Sequence, residues 1–218
     1  LNAADPLVVD MAEHCPGSVI FFARDNLHHP VLATHHAQHK RVIYLQGQHI
    51  VASGENGEHK IALKNIPLTQ DGSIYFQIEN AMAAIGAAWA LGFDWKVIRE
   101  GLSSFISDSQ TAPGRFNLFN YRNATLIADY GHNPDAIQAL VSAIDNIPSK
   151  KRSVVISAAG DRRDEDIRLQ TRIIGDAFDK VVLYQDQCQR GRADGEVISL
   201  LREGLGNASR TRKVSEIV

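Results

Sequence analysis

Apolar and polar positions alternate along this chain in two different ways. At the start, residues 6–14 predict a short helix, with Pro6 at its first turn and Leu7, Val8 and Met11 apolar. Residues 19–23 are a run of β-formers. Three short strands follow at 41–46, 49–52 and 60–63. Gly47-Gln48 and the glycines at 54 and 57 supply the turns, and together they predict an antiparallel meander. Residues 78–91 are Ala-rich, with Ile78, Met82, Ile85 and Trp89 at helical spacing and Gly92 as the stop. A second helix is expected over 95–103.

The run Thr111-Ala112-Pro113-Gly114 is the clearest break. After it strands at 124–129, 153–158 and 180–184 alternate with helices at 134–147, 167–178 and 196–205. Strands alternating with helices of that length predict an α/β fold with a mostly parallel sheet. The expectation is two pieces, residues 1–112 and 113–218, with no internal repeat.

Composition narrows the function classes. The chain has 218 residues, 44% hydrophobic and 22% charged, with a formal net charge of −2. That is enough apolar material for one or two cores and no basic field for nucleic acid or an anionic membrane. No run of 18 apolar residues and no signal peptide is present. Cys15 and Cys188 lie far apart and share no ligand spacing, as expected of a reduced, cytoplasmic protein. The chain opens on Leu1-Asn2-Ala3 rather than Met, which reads as entry into the middle of an element and hence as a fragment.

Candidate chemistry sits where the strands of the second piece end. Residues 129–134, 159–164 and 185–192 are polar loops, each at a strand's carboxyl end, the edge where open parallel sheets bind ligands. Arg115, Arg162, Arg163, Arg190 and Arg192 are planar donors suited to phosphate or carboxylate. Asp129 could accept from ribose hydroxyls. Blander roles compete. A strand-end Asp before a helix also serves as a cap or turn former, Asn133-Pro134 as a helix start, and Arg162-Arg163 among acids as a solvated cluster. No GxxxxGK[ST] loop and no GxGxxG occurs. Seven of nine histidines lie within residues 28–59, and His35 and His39 have a spacing that on a helix would let them face one way; a polar surface is the default and no metal site is expected.

Taken in order, several segments resemble the Mur ligase family. Asn2-Ala3-Ala4-Asp5-Pro6 resembles the Asn-rich strand end of the central domain, with Ala4 in place of one of the paired aspartates. Residues 77–84 resemble the helix whose asparagine reaches the adenine of ATP. Pro113-Gly114-Arg115-Phe116 resembles the hinge whose arginine approaches the phosphates. Asp129-Tyr130-Gly131-His132-Asn133-Pro134 is similar to the Asp-Tyr-Ala-His-x-Pro loop, and Gly160-Asp161-Arg162 to the Gly-Asp-Arg turn one strand later. Within the family, Phe76-Gln77 in place of the His-Asn of peptidoglycan enzymes, together with residues 35–51, 66–69, 79–92 and 190–196, resembles the cyanophycin synthetase branch.

The resemblance implies the end of a Mur ligase central, ATP-binding domain over 1–112. A Rossmann-like C-terminal domain would follow over 113–218, free to stop short of that domain's end. It implies an ATP-dependent ligase that forms an acyl phosphate and then an amide, with arginine as the incoming amine and aspartate side chains of a polyaspartate backbone as acceptors. Gln77, Asn80, Arg115, Asp129 and His132 would hold nucleotide. Asp186, Arg190 and Arg192 would meet the amino acid, with Asp194 and Glu196 as further partners for a guanidinium. ATP and Mg²⁺ are the implied cofactors. The P-loop and metal ligands are expected upstream of residue 1, so these residues alone would not turn over. A homo-oligomer is allowed. Two alternatives stay open: another Mur-type ligase, acting on a peptidoglycan precursor or a folate, and a non-catalytic nucleotide-binding module of the same fold.

Overall fold

A computed structural model describes residues 1–187, 189–206 and 208–217; Cys188, which belongs to the third candidate loop, lies outside the described residues. The chain forms two compact units, Leu1–Ile127 and Ala128–Val218.

The first unit is built on a four-stranded sheet. Helix α1 (Pro6–Asp10) starts where predicted, because Asp5 caps it by accepting from the amides of Leu7 and Val8 at 3.0 and 3.4 Å. It then tightens into a 3-10 turn over Met11–His14 instead of continuing as one helix. Strand β1 (Phe21–Ala23) pairs in parallel with β2 (Val42–Gln46), and β2, β3 (His49–Gly54) and β4 (Gly57–Ala62) form the expected antiparallel meander.

Alternation along the strands sends side chains to two faces. Ile43, Ile50 and Ala52 join a core with Ile78, Met82 and Ile85 of α3 (Tyr75–Ala90). Val42, Tyr44 and Val51 join another with Ala3, Phe21 and Leu32, the last carried by α2 (Pro30–Ala37). Both faces of the sheet are therefore covered. Helix α3 ends in a Schellman turn: the amide of Phe93 reaches the Ala88 carbonyl and that of Gly92 the Trp89 carbonyl, each at 3.1 Å, with Gly92 at φ +79°. Helix α4 (Trp95–Ser104) begins at once, capped by Asp94.

Strands β5 (Asn117–Tyr121) and β6 (Ala124–Ala128) form a two-stranded sheet. The second unit contains α5 (Pro134–Ile144), β7 (Ser153–Ile156), α6 (Asp164–Ala177), β8 (Lys180–Tyr184), α7 (Glu196–Gly204) and β9 (Lys213–Ile217). Strands β7, β8 and β9 lie in that order, all parallel, and the α/β expectation holds. Val181 and Leu183 of β8 are fully buried, as are Ile167, Ile174 and Leu201 of the helices.

One part of the sequence reading is corrected. Strand β6 hydrogen-bonds to β5 and not, among the described residues, to the parallel sheet. The loops after β7 and β8 lie at the carboxyl edge of that sheet, and strand pairing among the described residues does not assign the loop at 129–134 to it.

Candidate functional site

The first unit carries the amides and one arginine. Gln77 and Asn80 sit one turn apart on α3, and the Asn80 Nδ2 donates to the Gln77 Oε1 at 2.9 Å. Gln77 is buried and lines a pocket of about 230 Å³ with Asp108 and Phe116. Asn80 is exposed, at the rim of an apolar slot of about 410 Å³ between α3 and α4, walled by Ile85, Phe93 and Phe105. A flat apolar slot with an amide at its rim suits a planar, hydrogen-bonding base.

Arg115 lies in the predicted break, exposed, with Nη1 donating to the Gly114 carbonyl at 3.3 Å. The Asn117 side chain fixes that turn. Its Oδ1 accepts from the Gly114 amide at 2.7 Å and its Nδ2 donates to the Ala112 carbonyl at 3.0 Å. Ser107 adds a hydroxyl bond to the Arg115 carbonyl at 2.9 Å. The next residue, Phe116, sits at φ +52°, where a non-glycine residue is strained. Burial of its ring, edge-on to Phe76 at 5.5 Å, offsets that cost. Pro and Gly made this break legible, but the buried Asn117 that shapes it was not singled out.

In the second unit Asp129 and His132 share one loop. The Asp129 Oδ1 accepts from the Gly131 amide at 2.6 Å, an Asx turn that occupies one carboxylate oxygen. His132 Nδ1 meets the Tyr130 carbonyl at 2.9 Å. Facing a carbonyl, that nitrogen is the donor, so in the neutral ring Nε2 keeps its lone pair. Asn133 caps α5 by accepting from the Ala136 amide at 2.8 Å, the bland role considered for it.

The loops after β7 and β8 are locked together. Arg190 pairs with Asp161 at 2.7 Å and holds that carboxyl below its usual range. Arg192 donates from Nε to the Gly160 carbonyl at 2.6 Å, and from Nη2 to the Arg162 carbonyl and the Asp164 carboxylate, both at 2.8 Å. Its Nη1 donates to Glu196 at 2.7 Å. Asp164 first and Glu196 second raise its pKa. Arg192 therefore braces the loops. A Cβ on Gly160 would overlap the Gln189 carbonyl oxygen, which is why glycine stands there.

Glu196 is engaged by Arg192 and by the Ala193 amide, and Asp194 accepts from Gln185 at 3.4 Å. Asp186 is exposed, and its carbonyl accepts from the Gln189 side chain. Arg163 forks onto Asp166 through two bonds of 2.9 Å, while Arg162 offers its carbonyl to Arg192.

The histidine-rich segment makes no helical ligand pair. His35 is buried on α2, its Nε2 bonded to the Val19 carbonyl at 3.0 Å. His39 lies beyond the end of α2, at φ +57°. Among the described residues no group of three or more His, Cys, Asp or Glu is arranged to hold a metal ion, and no helix is long and apolar enough to cross a membrane.

Residues 114–218 match the family model of the Mur ligase, glutamate ligase domain. The chain belongs to the Mur ligase family. It is 35% identical over 208 residues to a cyanophycin synthetase from Geminocystis herdmanii, a match covering 94% of this chain and 23% of that protein. The chain thus spans about a quarter of the length of the curated relatives it matches first. Among solved structures, E. coli FolC in complex with DHPP and ADP aligns with a TM-score of 0.59 at 21% identity, covering 92% of this chain and 44% of that one. A Mycobacterium tuberculosis folylpolyglutamate synthase complexed with ADP and AMPPCP aligns at 0.58 and 20%, covering 92% and 46%. At those identities the likeness concerns the fold.

Proposed function

We propose that this chain is part of an ATP-dependent ligase that makes cyanophycin. It would add arginine to the side-chain carboxylate of aspartate in a polyaspartate backbone, through an acyl phosphate. The observation that carries this reading is the 35% identity to a cyanophycin synthetase, sustained over 94% of the chain. Residues 1–112 would then be the end of the central, ATP-binding domain and 113–218 the C-terminal domain, with the cytoplasm as the place of action.

In this reading the base of ATP lies in the slot beside Asn80, oriented by an amide that Gln77 holds from below. Arg115 supplies positive charge to the phosphates from a turn fixed by Asn117. Asp129 would accept from ribose hydroxyls, from a loop whose shape its Oδ1 fixes by accepting from the Gly131 amide, and His132 would contribute from the same loop. ATP activates the aspartate carboxylate, and the chain's own part is positioning and neutralising charge. Mg²⁺ would be held mainly by residues upstream of residue 1. Asp186 and Arg190 would face the incoming arginine, and Arg192 would act on it through the loops it braces.

A second reading, a folate or peptidoglycan-precursor ligase, draws support from the folylpolyglutamate synthase fold match. Phe76-Gln77, standing where the peptidoglycan enzymes carry His-Asn, favours the first. The test is substrate choice in a complete ligase bearing this segment. ADP release that depends on arginine and an aspartyl polymer supports the proposal. ADP release that depends on glutamate and a folate, or on diaminopimelate and a muramyl peptide, overturns it. Asp186→Asn should raise KM for arginine and leave KM for ATP unchanged; a KM for arginine that also stays unchanged would remove Asp186 from the amino-acid site.

A further inference from the structure

The first unit has a second opening, at the amino ends of β1 and β2, away from Gln77, Asn80 and Arg115. It is an open cavity of about 860 Å³ between residues 12–21, the segment leading into β2 and the β3–β4 turn. Both tryptophans of the chain, Trp89 and Trp95, line it.

The indole faces are already in use. His59 stacks on Trp95 at 4.0 Å and 17°, with the Arg99 guanidinium 5.9 Å from the same ring. Arg41 lies 5.2 Å over Trp89 and donates to the Trp89 carbonyl and the Ser18 hydroxyl. An incoming molecule therefore meets ring edges and the charges around them. The charged residues that line the cavity are the cations Lys40 and Arg41 and the anions Glu13 and Glu55. Among the described residues none of Glu13, Lys40 and Glu55 is in an ion pair. Burial keeps His35 and His59 below the ordinary histidine range, and Arg99 adds to this at His59.

The lining presents both signs, so a lone anion or a lone cation meets a like charge as well as an opposite one. Uncancelled at close range, the two signs suit a molecule that carries both. We propose that this cavity binds a zwitterionic amino acid or short peptide. Its carboxylate would be met by Lys40 and Arg41, its ammonium by Glu13 and Glu55, and its aliphatic part by the indole edges. The cavity's size, near the upper end of small-molecule sites, leaves room for more than one residue. The proposal does not depend on the ligase reading.

Because the two indole N–H groups are the only ones in the chain, their NMR signals report directly on the cavity. L-arginine, L-aspartate and an Asp-Arg dipeptide would be titrated into the 218-residue chain, with acetate and butylamine at matched ionic strength as single-charge controls. Saturable shifts of both indole signals below about 10 mM with the zwitterions, and none with the controls, are expected. Lys40→Ala and Glu55→Gln, both at exposed positions, should each weaken binding roughly threefold to tenfold with the ligand-free indole signals unmoved. Absence of shifts, equal shifts with the controls, or unchanged binding by both variants would overturn the proposal.

Discussion

Arg192 makes four hydrogen bonds while keeping its side chain only 17% exposed. Charge-assisted bonds of this kind are worth about 1.5–3 kcal/mol each before non-additivity is considered. Arg192→Ala should therefore cost about 2–3 kcal/mol of stability. Hydrogen exchange should quicken at residues 159–164 and 189–196, and Arg192→Lys, which lacks the planar fork, should recover less than half of the loss. Unchanged exchange in those loops would remove the brace. His35 gives a pH dependence. Burial sets its folded pKa below the unfolded 6.5, so its contribution is present above that value and is lost as pH falls through the lower folded pKa. Between pH 7 and 5 the Tm of the chain should fall more steeply than that of His35→Gln, which keeps a donor for the Val19 carbonyl. Parallel slopes would contradict this. In the sequence Arg192 was visible only as a planar cation in a polar loop. Its four partners lie 4 to 32 positions away, and spacing carries no information about them.

At the scale of elements, the turn before β5 shows how a sequence signal and its physical support separate. Pro113 and Gly114 announce the break, but the conformation is set by a buried Asn117 bonded to both sides of it. Asn117→Ala should lower stability by about 1–2 kcal/mol, read as a shift in urea midpoint at unchanged m. A shift below about 0.5 kcal/mol would show the turn to be self-supporting. The long periodic helices α3 and α6 were legible because each buries a stripe. Tyr75, Phe76 and Gln77 extend α3 before its first expected residue, where propensity alone gives no start. Helix α2 was missed because three residues in its eight are Thr34, His35 and His36, none a strong helix former, and its buried contacts come from Leu32 and His35. Strand β9 was missed because four of its five residues are exposed, leaving no alternation to read. Strand β6 was recognised, but its partner was not: pairing is a tertiary fact, and β6, exposed at four of five positions, gives no pattern that chooses a neighbour.

For the whole molecule, the α/β class and the meander followed from periodicity, whereas the site is dispersed over loops whose residues are individually ordinary. Asp129, Asn133, Arg163 and Glu196 all have local structural partners that explain them without a ligand. What distinguishes the nucleotide reading is Arg115, an exposed guanidinium on a turn whose shape is over-determined by Asn117, Ser107 and the Phe76–Phe116 contact. The most direct measurement is kcat/KM for ATP-dependent arginine incorporation by a complete ligase bearing this segment, with Arg115 intact and with Arg115→Ala. Losing a charge-assisted contact of about 1.5–3 kcal/mol predicts a fall of roughly 10- to 150-fold with the fold intact. An unchanged kcat/KM in a folded Arg115→Ala enzyme would contradict it.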